Sequence, residues 1–280
     1  MGIVIRSNPT AAATLSSLER TNRRLSGNML KLSSGMRINS AADDAAGLAI
    51  SESLKAQVVS LQQAGRNSAD AVSTLQIAEA AMGEVANTLQ RMRELAMQSS
   101  SGQLSNQQRG FLDQEMDELR KEVTRISEVT EFNGLNLLDG GLSTASGVTL
   151  SFQVGIQNTN NDRINVNVNT ISATGLGIGT MSLASQTRAR SALDTIDLAI
   201  SSLSSSRANL GAKMNRLTIT MDNLSSAEQN IDAANSRIRD VDVGHEMGRM
   251  VSNQILSQAG SAMLSQANNS QSTILQMLLM

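Results

Sequence analysis

Apolar residues recur every three or four positions along most of this chain, the repeat of an amphipathic helix, and over one short stretch they alternate with polar ones instead. After Pro9, which suits a helix start, Leu15, Leu18, Leu25, Met29, Leu32 and Met36 fall at helical spacing, interrupted only by Asn22, and end near the stop signal Gly35. A second helical pattern starts between residues 40 and 45 and runs to about Ser100, carried by Leu54, Val58, Leu61, Val72, Leu75, Met82, Val85, Leu89 and Met92. Its slow drift is that of a nearly straight 3.6-residue helix measured against a 3.5-residue repeat. Ser105 with Gln108 makes a capping box, and Leu112, Met116, Leu119, Val123 and Ile126 continue a third helix until the turn signals Asn133-Gly134 and Asp139-Gly140-Gly141.

Then the period changes. Val148, Leu150, Phe152, Val154 and Ile156 alternate with polar residues, as do Ile164, Val166 and Val168 beyond the loop QNTNNDR, which predicts a β-hairpin over about 148–168. A Gly-rich passage, ATGLGIGT at 173–180, leads out of it. The strongest pattern follows: positions 193, 196, 200, 203, 207, 210, 214, 217, 221, 224, 228, 231, 235 and 238 step by three or four without a break, and 11 of the 14 are apolar, the exceptions being Arg207, Glu228 and Asn235. A helix of some 50 residues is roughly 75 Å long and cannot bury its stripe against itself. It needs long partners, and the second and third helices provide them in an antiparallel bundle. The C-terminal segment continues with Met247, Val251, Ile255, Ala259 and Met263, closes on ILQMLLM, and has no lysine or arginine among its last thirty residues. Such an end wants a partner, and the N-terminal amphipathic segment is the natural one. The expected fold is mainly α, a long antiparallel bundle or coiled coil with a small β-hairpin region. Residues 1–42 and 243–280 form a terminal coiled-coil domain with a seam of Leu15, Leu18, Leu25, Met29, Leu32, Met36, Met247, Val251, Ile255 and Met263, and residues 43–242 form a domain of long helices. A single copy would have little core per residue and two adhesive termini, a design that suits a polymer subunit.

Composition narrows the chemistry. The 280 residues include three aromatics, Phe111, Phe132 and Phe152, so the core is built from Leu, Ile, Val, Met and Ala, and aromatic pocket walls are missing. With no cysteine, disulfides, thiolate metal sites and Cys nucleophiles are excluded. His245 is the single histidine, so a Ser-His-Asp triad would have to use it, and no G-x-S-x-G elbow is present. The net charge of -2, with scattered basic residues and no stacking aromatics, argues against nucleic-acid binding. No stretch reaches the ~20 apolar residues of a membrane span. The N-terminus lacks the pattern of a Sec signal peptide, so an exported form would use another route. No cofactor or metal site is expected, and no enzymatic activity.

The stretch SSGMRINSAADDAAGLAISE at 33–52 resembles the N-terminal signature of bacterial flagellins. LQRMRELAMQSSSG at 89–102, FNGLNLL at 132–138 and FQVG at 152–155 are similar to further blocks of that family in the right order, as is the run from SRIRDVD to ILQMLL. The resemblance implies a secreted, extracellular filament subunit for swimming motility, exported unfolded through the flagellar type III apparatus and assembled into a homo-polymer. Its implied partners are the cap, the hook-junction proteins, an export chaperone and a host's flagellin-sensing Toll-like receptor. Only the Gly-rich passage stands where many relatives insert outer domains, so the chain resembles a minimal flagellin. The nearest rival is a hook-filament junction protein. A secreted, non-polymeric effector or adhesin is the alternative of a different kind.

Three groups of residues stand out. Asp43 and Asp44 fit a helix N-terminus, where carboxylates favour the positive end of the dipole and Ser40 is placed to cap. With Arg37 and Asn39 they mark the joint between domains. Arg91, Glu94 and Gln98 lie on a different helix face from Leu89, Met92 and Ala96, which leaves them free of the core. The resemblance makes Arg91, Glu94, Leu95 and Gln98, together with Glu115 on the next helix, a contact face for the host receptor and for neighbouring subunits. His245, near Asp240, Asp242 and Glu246, reads as a polar helix position.

Overall fold

The computed structural model of the chain describes residues 7–142 and 149–279. Val148, the first residue of the expected alternation, the first six residues and Met280 lie outside them. Five helices are present among the described residues: α1 (Pro9–Ser34), α2 (Ala45–Ser99), α3 (Asn106–Val129), α4 (Gln186–Arg239) and α5 (Val243–Leu279). Two antiparallel hairpins, β1–β2 (Glu131–Phe132 with Leu135–Asn136) and β3–β4 (Leu150–Gln153 with Arg163–Val166), and a one-turn 3-10 helix (Asn160–Asp162) complete the regular structure among the described residues. The fold is mainly α, as the periodicity predicts. It divides into two compact units, residues up to 56 with those from 230 on, and residues 57–229, so that α2 and α4 each contribute to both.

The helix ends follow local chemistry. Pro9 is the first residue of α1, Asn8 caps it by accepting from the Ala11 N–H at 3.0 Å, and Gly35 ends it in the left-handed conformation with φ 71°. At α3 both halves of the capping box form, with the Gln108 N–H donating to Ser105 Oγ at 3.3 Å and the Ser105 N–H to Gln108 Oε1 at 2.8 Å.

In the unit of residues 57–229, the core is a run of fully buried side chains from three helices: Leu75, Met82, Val85, Leu89 and Met92 of α2, Met116 and Val123 of α3, and Ile196, Leu203, Leu210 and Leu217 of α4. None of the fourteen stripe positions of α4 is exposed. Its polar members are each satisfied by α2. Arg207 pairs with Glu79 at 2.6 Å and Glu228 accepts from Gln62 at 2.7 Å; in the other unit, Asn235 accepts from the Ser51 hydroxyl at 2.8 Å. A polar residue in a helical seam with a matched partner specifies register, because a slipped pairing leaves it buried without one.

The hairpin β3–β4 forms in the register Leu150↔Val166, Phe152↔Ile164, with Ile164, Val166 and Val168 buried. Ile156 departs from the expected alternation and is exposed. The reason is a bulge: the N–H groups of Val154 and Gly155 both donate to the Asp162 carbonyl, at 2.8 and 3.1 Å, which shifts the phase by one residue. Asn133-Gly134, read as a stop signal, also makes a hairpin. Both residues have positive φ, 51° and 76°, as a two-residue turn between antiparallel strands requires. The Gly-rich passage is no surface excursion. Ile171, Ile178 and Leu183 are buried in the core of residues 57–229, and Leu183 is held on both sides, its carbonyl accepting from Ser99 Oγ (2.9 Å) and its N–H donating to Asp113 Oδ1 (2.5 Å).

Candidate assembly site

Three places gather the residues that the sequence singles out. The first is the crossing of residues 35–44 with 238–242. Here the chain after α1 forms an isolated antiparallel bridge, Met36 with Asp240, and the Arg37 N–H donates to the Arg239 carbonyl (2.6 Å) while the Val241 N–H donates to that of Gly35 (3.0 Å). The Arg37 guanidinium reaches the Ile238 carbonyl at 2.8 Å, one of the unpaired acceptors at the end of α4. Arg239 answers from the other side, pairing with Glu52 of α2 at 2.6 Å. Asn39 donates to Ser34 Oγ (2.8 Å), which closes the turn after α1, and Ile38 fills the space beneath.

The two aspartates divide the work. Asp43 Oδ2 accepts from the N–H groups of Asn39 (3.2 Å) and Ser40 (3.0 Å) and from the Ser40 hydroxyl (3.1 Å). These bonds, the Ser40 N–H foremost, hold its carboxyl below the usual range. Asp44 is the cap: its Oδ1 accepts from the Gly47 N–H at 2.9 Å, and its carbonyl accepts from the Leu48 N–H. Ser40, placed by sequence as the cap, instead belongs to the turn, four residues too early for a helix that starts at Ala45. No group of three metal-ligating side chains occurs among the described residues.

The second place is the pairing of α1 with α5. Of the ten apolar residues expected in the seam, three lie in the less exposed rows of the two helices. On α1 the less exposed positions include Ala11, Thr14, Leu18, Thr21, Leu25, Asn28 and Leu32, a regular 3-4 row, with Gly27, Lys31 and Ser34 beside it near the helix end. Leu18, Leu25 and Leu32 belong to it; Leu15 and Met29 are exposed, and Met36 lies beyond the helix in the bridge to Asp240. On α5 the row is Glu246, Met250, Asn253, Ser257, Gly260, Leu264 and Ala267, and the expected Met247, Val251, Ile255 and Met263 are all exposed. The physical reason is the period. Those four residues and Ala259 are spaced by four throughout, and each step of four advances about 40° around an α-helix, so the row winds off any single face. A 3-4 alternation holds one face, and here that face is largely polar and small. With its amide turned so that oxygen and nitrogen both find partners, Asn28 donates to Glu246 Oε1 (3.0 Å) and accepts from Asn253 (3.1 Å); Ser257 donates to Asn22 (2.8 Å), and Asn8 donates to the Ala267 carbonyl (3.2 Å). Gly260 lets Leu18 approach; a Cβ there would sit 3.2 Å from its methyl. His245 is exposed, and its N–H donates to Asp242, which starts α5.

The third is the outer face of α2 with α3. Arg91 lies between Glu115, at 2.8 Å, and Glu94, at 2.9 Å, and both hydrogen bonds, that to Glu115 foremost, favour its charged form. Gln98 is exposed on the same face. Leu95 does not belong there: it is 1% exposed and packs in the core beside Met92 and Ala96. The turn between the two helices is closed by Arg109, 6% exposed, whose guanidinium donates to the carbonyls of Ser99 (2.9 Å) and Ser101 (2.7 Å) and to Asn106. Nothing in the spacing pointed to Arg109, because a lone arginine on a helix reads as solvated.

Residues 5–144 match the family description "Bacterial flagellin N-terminal helical region", and residues 193–278 match "Bacterial flagellin C-terminal helical region". The chain belongs to the bacterial flagellin family. Flagellin of Halalkalibacterium halodurans is 44% identical over 89% of this chain and 90% of its own length, and flagellin of Bacillus subtilis is 41% identical over 98% and 99%. The crystal structure of Bacillus cereus flagellin is similar at a TM-score of 0.50 and 32% identity, covering 61% of this chain and 94% of that one. The flagellin match reaches both terminal helices, so the chain is a structural subunit of the flagellar filament, a class of structural rather than catalytic proteins. No helix among the described residues is long and apolar enough to cross a membrane.

Proposed function

We propose that this flagellin polymerises through the sides of its terminal helices that do not face each other. The observation that carries this is the set of large apolar residues left exposed on α5 and α1, Val243, Met247, Val251, Ile255 and Met263 with Leu15, Met29 and Leu30. Scattered apolar residues are ordinary on a surface, but a concentration on two long helices is a contact face waiting for a partner. In a filament that partner is a neighbouring copy, so residues 1–42 and 243–280 form the inner coiled-coil domain and 43–242 the surrounding domain of long helices, with Arg37, Asn39, Asp43 and Asp44 at the joint. Export unfolded through the flagellar type III apparatus, with a chaperone, the cap and the hook-junction proteins as partners, and an extracellular place in the swimming organelle follow from family membership.

The test is seeded elongation of the full chain followed by electron microscopy. Ile255→Asp keeps the helical content of the monomer, because the side chain is exposed, and stops elongation; a variant that elongates at the wild-type rate refutes this interface. The Arg91, Glu94, Gln98 and Glu115 face is proposed as the contact for a host's flagellin-sensing Toll-like receptor and for lateral neighbours. Arg91→Ala, which leaves two carboxylates without their cation, is expected to weaken receptor signalling by monomer on the order of tenfold. Wild-type signalling by that variant removes the assignment.

A further inference from the structure

The chain holds fifteen methionines, one histidine and no cysteine, tryptophan or tyrosine. A two-electron oxidant such as hydrogen peroxide therefore meets the methionine thioether as the most reactive side chain available. Burial sets two groups of them apart. Met82, Met92 and Met116 are 0% exposed in the core of residues 57–229, whereas Met29 is 56%, Met97 53%, Met247 45% and Met263 63% exposed. Three of these four lie on α1 and α5, outside the α1–α5 seam, and share the terminal helices with the exposed aliphatic side chains Leu30, Val251 and Ile255.

We propose that Met29, Met247 and Met263 are a peroxide-sensitive modification site whose oxidation to methionine sulfoxide blocks assembly. The thioether sulfur attacks one oxygen of hydrogen peroxide; the S–O bond forms as the O–O bond breaks, sulfur loses two electrons, and the leaving hydroxide takes the remaining proton and departs as water. The product is a polar, chiral S=O acceptor in place of an apolar sulfur. Leu30, Val251 and Ile255 carry no side-chain donor to satisfy it, so a contact that buries the sulfoxide among them is weakened by about tenfold for each group left without a hydrogen bond. Because sulfoxides are reducible by dedicated reductases, the block is reversible. The inference rests on the proposal that these helix faces join neighbouring copies.

The experiment treats full-length monomer with hydrogen peroxide, locates sulfoxide by peptide mass mapping and measures seeded elongation. Met29, Met247, Met263 and Met97 are expected to be modified well before Met82, Met92 and Met116, with unchanged helical content and elongation slowed by about tenfold or more. The Met29→Leu, Met247→Leu, Met263→Leu triple variant is expected to elongate at the same rate with and without the peroxide treatment, while Met97→Leu alone gives no protection. Equal elongation of oxidised and untreated wild type overturns this inference alone, as does a triple variant inhibited as strongly as wild type. An untreated chain that never elongates overturns both this inference and the polymer reading.

Discussion

At the scale of single residues, Asp43 and Asp44 are neighbours with different tasks. Asp44 satisfies a helix N–H that has no partner within the helix, and Asp44→Ala is expected to destabilise the chain by about 1 kcal/mol, read as a shift in thermal midpoint. Asp43 ties the turn before it, and its effect depends on pH. Its carboxyl is held below the usual value of 3.8 by the Ser40 and Asn39 N–H groups and the Ser40 hydroxyl. A folded-state pKa below the unfolded one means stability that is complete above the ordinary carboxylate range and is lost as pH falls through the depressed value. Wild type and Asp43→Asn should therefore differ in thermal midpoint at about pH 6 and converge towards pH 2. A difference that persists in acid would show that the carboxylate is not the group responsible. Ser40, Asp43 and Asp44 were all visible as a cap-like cluster in sequence, but which of them caps is set by where the backbone turns into the helix, within a few residues.

At the scale of elements, the α2–α3 turn and the α1–α5 pair show two ways in which polar residues hold helices together. Arg109 serves the carbonyls of Ser99, the last residue of α2, and of Ser101 in the turn after it, and Arg109→Leu removes their donors while keeping bulk; a loss of about 1–3 kcal/mol in chemical denaturation is expected. A loss within experimental error would mean that water replaces the guanidinium freely. The α1–α5 seam uses Asn28, Asn253, Ser257 and Gly260 where a coiled coil usually has aliphatic residues, and no residue of α1 is fully buried. Gly260→Leu, which crowds Leu18, is expected to lower the helical content of the monomer in circular dichroism, in contrast to the neutral Ile255→Asp. The α5 side of the seam is hard to read from sequence because a helical pattern ranks apolar residues first, and Met247, Val251, Ile255 and Met263 face outward while Asn253, Ser257 and Gly260 face in.

At the scale of the molecule, buried apolar area is concentrated in residues 57–229, around Met82, Leu89, Met116, Leu203 and Leu210, and thin in the α1–α5 pair. Local stability follows burial, so amide hydrogen exchange in monomer should be slowest in the middle of α2 and α4 and fast throughout α1 and α5; uniform protection across all five helices would contradict this. The helices, the ends of α1, the capping box of α3, the β3–β4 hairpin and the family were legible in the sequence, because a 3.6-residue period, a capping box and an alternation are local patterns that the backbone must obey. The α4 stripe even named its own exceptions, Arg207, Glu228 and Asn235. Their partners Glu79, Gln62 and Ser51 stand more than a hundred residues away in the chain, and no local pattern reaches that far. Tertiary structure alone decided that Leu95 turns inward, that the Gly-rich passage joins the core, and that Met29, Met247 and Met263 face out, because each depends on which side of an element another segment comes to cover.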